Sequence, residues 1–154
     1  MQFLIDLFTN RIFLSTAISW LIAQTAKVII AYCKKEFAAE RLVGGGGMPS
    51  SHSATVTALC VSTAHFYGGG SFEFVMALFF AFIVIYDALG VRLETEREAQ
   101  ILNRLRERDI AEGKEPLYHR PLREKLGHNL AEIAGGMLVG IACALIICNC
   151  FPVA

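Results

Sequence analysis

The sequence predicts an all-α integral membrane bundle: about four spanning helices, with a charged surface helix between the third and fourth. Two observations carry this. The chain is 55% apolar with long uncharged runs, and its mean hydropathy is +0.49, against ~45–50% apolar residues in ordinary globular chains. Its charges, by contrast, are bunched: nine of the fourteen Lys and Arg fall between residues 92 and 125. At 154 residues the length suits one domain, a single membrane-embedded unit over 1–154. A net charge of zero argues against nucleic acid as a partner. The five cysteines are odd in number and lack a C-x-x-C pair. They read as small hydrophobes, with neither a disulfide framework nor a zinc site.

Residues 1–11 are mostly apolar, with only Asp6 and Arg11 charged, and suit a position along the interface. Ile12 to about Cys33 is the first span, close to the ~20 residues a helix needs to cross hydrocarbon. Lys27 sits inside that run. An ionisable residue there either serves function or snorkels to the nearby interface. Gln24 lies one turn earlier on the same face. A short charged loop containing Lys34, Lys35, Glu36, Glu40 and Arg41 leads into Gly44 to Gly47. Ala54 to Tyr67 continues a second helix, short for a full span, before the turn Gly68-Gly69-Gly70-Ser71. Phe72 to about Leu89 is the third span, with Asp87 near its end and Arg92 just beyond. Arg92 to about Glu112 mixes Glu and Arg along a solvated or membrane-surface helix, which Gly113 and Pro116 end. The last span runs from about Leu130 to Phe151, where Gly135, Gly136 and Gly140 allow close helix packing.

The connection between spans three and four holds nine Lys and Arg, that between one and two holds three, and that between two and three none. The positive-inside rule then makes both charged connections cytoplasmic and puts the termini outside. The expected location is a bacterial inner membrane, with the site at its cytoplasmic face. The starts of spans two and four share that face. His52 and His128, 76 residues apart, can therefore meet.

Chemistry concentrates at those two starts. In Gly44-Gly45-Gly46-Gly47-Met48-Pro49-Ser50-Ser51-His52-Ser53-Ala54 the glycines free the backbone, and Pro49 suits a first helical turn. A helix N-terminus with unpaired N–H groups is a natural phosphate site, though the serines can equally be plain helix caps. His52 adds a group able to hold or deliver a proton near neutral pH. In His128-Asn129-Leu130-Ala131-Glu132, a helical backbone would put imidazole and carboxylate on one face. A carboxylate on one ring nitrogen fixes the tautomer and makes the other nitrogen a better nucleophile. Metal ligation by His52, His128 and Glu132 is a weaker alternative, since the spacing matches no standard zinc site. A phosphate monoester carries nearly two negative charges and needs fixed cations, which arginine supplies bidentately. Lys27, Arg41, Arg92 and Arg123, with Ser50, Ser51 and the Gly47 backbone, are the candidate phosphate ligands. Phosphoryl transfer needs positioning and electrostatic stabilisation, and this inventory supplies both without a metal or other cofactor.

Gly46-Gly47-Met48-Pro49-Ser50-Ser51-His52-Ser53-Ala54, Asp87-Ala88-Leu89-Gly90-Val91-Arg92 and Leu126-Gly127-His128 resemble the divergent branch of the type 2 phosphatidic acid phosphatase superfamily, which is related to acid phosphatases and vanadium-dependent haloperoxidases. Ala23-Gln24 with Lys27, and Gln100 with Asn103-Arg104-Leu105, extend the match over most of the chain. The resemblance implies a metal-independent phosphatase working through a phosphohistidine. By it, His128 attacks phosphorus, Glu132 orients His128, His52 protonates the leaving oxygen, and Ser50 and Ser51 hold phosphate. Lys34 and Arg41 keep the spacing of the first motif, with Leu42 in place of its usual proline, while Lys27 is the preferred lysine. Arg123 has four residues between it and His128, where the superfamily has five, and no Ser precedes it; Arg92 offers a further cation. Asp87 can pair with Lys27 or Arg92, or be a plain helix-end carboxylate. The implied substrate is a lipid phosphate or prenyl (pyro)phosphate, its head group at the interface and its chains among the membrane lipids. The rival is a membrane protein that binds or transports a lipid phosphate without turnover. Four short spans make a small core, which leaves a homodimer open.

Overall fold

Six helices make up the described part of the computed structural model, residues 1–33, 47–124 and 127–150. They are α1 (Gln2–Thr9), α2 (Arg11–Cys33), α3 (Ser51–Tyr67), α4 (Phe72–Leu89), α5 (Val91–Ala111) and α6 (Leu130–Cys150), with no strand among the described residues. The fold is all-α. Among the described residues, three helical stretches are long and apolar enough to cross a membrane: α2, the run that starts with α4 and continues through α5, and α6. Their outward faces carry Leu21, Ile22 and Ile29 on α2, Phe79, Phe82 and Ile83 on α4, and Leu138 and Ile146 on α6, all exposed. So broad an apolar surface is what lipid, not water, would cover.

The helix expected as a second span, α3, has 17 residues and is not among those three. It packs against α2, α4 and α6 together, so its surroundings are protein. That explains how it tolerates Ser51, Ser53, Thr57, Ser62 and Thr63 at buried positions. The Ser62 and Thr63 hydroxyls donate back to the Ala58 and Leu59 carbonyls at 2.7 Å each, satisfying themselves within the helix.

Small side chains bring the neighbours close. The buried face of α2 is Ser15, Ser19, Ala23, Lys27 and Ala31, one residue per turn. Ser19 Oγ donates to the Ala54 carbonyl of α3 at 3.3 Å. On α6, a Cβ at Gly136 would run into the Ser50 carbonyl and the Ser53 hydroxyl, and one at Gly140 into the Ala54 carbonyl. With no side chain in the way, two hydrogen bonds join the starts of α3 and α6: Ser50 N–H to the Glu132 carbonyl at 2.9 Å and Ser53 Oγ to the Ile133 carbonyl at 3.1 Å.

The charged helix α5 follows α4 after a break at Gly90. Asn103 is one of its buried residues. Its amide donates to the Leu122 carbonyl at 2.8 Å and to Glu124 Oε1 at 2.7 Å, and its oxygen accepts the Leu122 N–H at 2.8 Å. Arg106 adds donors to the Tyr118 and His119 carbonyls. The segment after α5 is thereby folded back along it, which returns the chain to the start of α6.

Candidate active site

Three helix ends converge at one end of the bundle: the starts of α3 and α6 and the end of α4. Ser50 is the N-cap of α3, its hydroxyl accepting the Ser53 N–H at 3.3 Å. Its own N–H goes to the Glu132 carbonyl. Of the two readings of this serine, phosphate ligand or cap, the structure has it capping α3 and pinning it to α6. Ser51, 3% exposed, occupies the first helical position. His52 follows, half-buried, in the turn whose N–H groups lack intrahelical partners.

His128 lies in the segment just before α6. Its N–H donates to the Ala88 carbonyl at the end of α4, at 3.3 Å. The residue is 2% exposed, and its ring meets that of His52 edge-to-face, with centroids 6.0 Å apart and planes at 80°. Neither ring nitrogen has a hydrogen-bond partner among the described residues. The expected carboxylate is therefore not on the ring. Because α6 begins only at Leu130, His128 and Glu132 do not share a helical face. Asn129 and Glu132 instead form a reciprocal cap: Asn129 Oδ1 accepts the Glu132 N–H at 2.8 Å, and Glu132 Oε2 accepts the Asn129 N–H at 3.3 Å. The Glu132 charge also acts on Lys27.

A cavity of about 210 Å³ opens beside the imidazoles, lined by His52, Ile83, Val84, Asp87, Ala88, Arg92 and His128. Arg92 Nε donates to Asp87 Oδ2 at 2.5 Å. Of the partners weighed for Asp87, Arg92 is the one it takes. Both side chains are partly exposed, so the pair adds little stability, but it fixes a guanidinium in the cavity wall. Lys27 is 3% exposed and is not part of the cavity lining. Its alkyl stem passes Gly47, where a Cβ would come within 3.3 Å of Lys27 Cγ, and Gly47 has φ of 137°. The Lys27 charge acts on both imidazoles, so this lysine turns inward to the histidines instead of snorkelling.

The divergent PAP2 family matches residues 8–143, a stretch that contains every one of these side chains. The chain belongs to the divergent PAP2 family. A relative, described as "Uncharacterized membrane protein YuiD" of Bacillus subtilis (strain 168), is 33% identical over 156 residues, covering 95% of this chain and 99% of that protein. No solved structure matches this one.

The other expected ligands of this divergent PAP2 protein are placed less centrally. Arg123 is exposed and does not line the cavity, while Gln24 is half-buried on α2. Arg41, Lys34, Gly44 to Gly46 and Leu126 lie outside the described residues. Two contributors were not foreseen, Ile83 and Val84 as cavity wall, whereas Ala88, which also lines the cavity and accepts the His128 N–H, lies in the Asp87–Arg92 motif. Nothing distinguishes Ile83 and Val84 from ordinary residues of an apolar span.

Burial, then the charges of Lys27, His52 and Arg92, push the His128 pKa down to about 4. At neutral pH the ring is uncharged and keeps a lone pair to offer. In the unfolded chain an imidazole titrates at about 6.5. Below that value the unfolded state gains a proton that the folded state refuses. Stability is therefore expected to fall as pH drops from ~6.5 to ~4, by ~3 kcal/mol, and to level off lower down. Thermal unfolding in detergent across that range checks this: His128→Asn should flatten the slope, and an unchanged slope would clear His128 of the effect.

Proposed function

We propose that this protein is a membrane phosphatase that hydrolyses a lipid phosphate or prenyl (pyro)phosphate through a phosphohistidine, at the cytoplasmic face of a bacterial inner membrane. The observation that carries the reading is the meeting of His52 and His128, from two distant helix starts, in the wall of one cavity. Arg92 lines the same cavity, and the charges of Lys27 and Arg92 both act on the two imidazoles. Ile83 and Val84 line the same cavity from α4, which suits a substrate whose chain stays in the bilayer. The Lys and Arg of the segment after α4 support the cytoplasmic side.

Uncharged His128 attacks phosphorus in line, forming a P–N bond as the P–O bond to the leaving alcohol breaks. Protonated His52 gives its proton to that oxygen. Water then attacks the phosphohistidine while His52 takes a proton from it, the P–N bond breaks, and inorganic phosphate leaves. Arg92, Lys27 and the first N–H groups of α3 hold the phosphoryl oxygens through both displacements.

The test is to incubate detergent-solubilised protein with phosphatidic acid or a polyprenyl phosphate carrying labelled phosphate. The reaction is quenched in alkali, which spares phosphohistidine, and the label is mapped. Label on His128, chased to inorganic phosphate, is the expected result. Turnover with no labelled histidine would overturn the mechanism. That neither ring nitrogen of His128 has a partner among the described residues favours one rival, a protein that binds lipid phosphate without cleaving it. Saturable binding with no phosphate released would establish that rival.

A further inference from the structure

With Glu132 engaged in capping α6, the orientation of His128 needs another source. Its ring nitrogens have no partner among the described residues, so the backbone on either side must set it. Three contacts do so, all from the junction of α4 and α5. Glu96 Oε2 of α5 accepts the Gly127 N–H at 3.0 Å. The Ala88 carbonyl accepts the His128 N–H. The Gly127 backbone lies flat against α5: a Cβ there would come within 2.7 Å of Leu93 Cα and 2.9 Å of Leu93 N.

We infer that Glu96 is a positioning residue for His128: its carboxylate anchors Gly127 to α5 and so holds the adjacent imidazole, edge-on to His52, in the cavity wall. Neither Glu96 nor Gly127 lines the cavity. Glu96 acts through the chain, and the chain passes its position to the ring. A buried N–H that loses its acceptor is costly to leave unmade, so removing the carboxylate opens the 127–129 segment locally before it affects the bundle. The charge of Glu96 is not needed for this. An amide oxygen at the same place accepts the same hydrogen bond.

The inference takes its catalytic meaning from the phosphohistidine reading, but its primary test does not use turnover. Carbethoxylation of histidine by diethyl pyrocarbonate, followed residue by residue with mass spectrometry, reads the exposure of each ring. Exposed His65 and His119 and half-buried His52 serve as internal references. In the native protein His128 should react slowest. In Glu96→Ala its rate should rise ~tenfold while the other three stay put, and Glu96→Gln should restore protection. If Glu96→Ala does not accumulate in membranes, Glu96→Asp, one methylene short, should show the same selective rise in smaller measure. An unchanged His128 rate in the alanine or aspartate variant overturns the inference, as does a parallel rise at all four histidines. So does a Glu96→Gln protein as reactive as Glu96→Ala. With an active substrate in hand, Glu96→Ala should lower kcat ~10²-fold with KM nearly unchanged, and Glu96→Gln should recover most of it. Absence of turnover in the native protein would defeat the phosphatase reading and leave the carbethoxylation result standing.

Discussion

Replacing His128 with asparagine is expected to lower kcat for lipid phosphate hydrolysis by at least ~10⁴-fold, the scale on which loss of a nucleophile is felt. The bundle should still assemble, because the ring makes no side-chain hydrogen bond among the described residues. His52→Asn should behave differently. As a general acid its removal should cost about 10²–10⁴-fold on an alkyl phosphate. The loss should shrink on an aryl phosphate whose leaving group departs without a proton, whereas the His128→Asn defect should be the same for both. Rates of inorganic phosphate release by the three proteins on the two substrate types decide the matter. If both variants lose equally on both substrates, the roles assigned to the two rings are wrong. If neither variant loses activity, the cavity is not where phosphorus reacts.

Most of what was readable from sequence in this protein depends on local pattern. Uncharged runs near the length of a span marked α2, α4 and α6, and the bunched Glu and Arg of residues 92–112 marked α5. The pairing of His52 with His128 followed from topology, since two charged connections on one side force two helix starts together. The count of spans was harder. Helix α3 has serines and threonines because protein surrounds it, and hydropathy measures suitability for lipid only. The error over Glu132 has a sharper cause. The spacing of His128 and Glu132 implies contact only if both are helical, and Asn129, a strong N-capping residue, starts α6 one residue after His128. The capping signal stood in the sequence and outranked the spacing. Glu96 was beyond reach. It lies 31 residues from Gly127, on a helix face with nothing to mark it, and its role exists only because Gly127 lets α5 come close.

Of all the contacts in the bundle, the approach of α6 to α3 at Gly136 should be the least tolerant. A methyl group there would fall on the Ser50 carbonyl and the Ser53 hydroxyl, both fixed by the first turn of α3 and unable to swing aside. Gly136→Ala must therefore separate the two helix starts, stretching the Ser50–Glu132 and Ser53–Ile133 hydrogen bonds. Overpacking of about 1–3 kcal/mol and two weakened buried hydrogen bonds at ~1 kcal/mol each put the expected loss at ~3–5 kcal/mol. Gly135 is the control one residue away. A Cβ at Gly135 meets the end of the Met48 side chain, at 3.2 Å from Cε, and a flexible thioether can move. Helix propensity favours alanine over glycine by ~1 kcal/mol, so Gly135→Ala should be neutral or stabilising. Thermal unfolding in detergent separates the two. Since the same two hydrogen bonds hold His52 opposite His128, Gly136→Ala should also lose phosphate release even at temperatures where it stays folded. Matching unfolding temperatures for the two variants would mean that α3 can move away from α6 freely, and the site would then owe its geometry to something other than this contact.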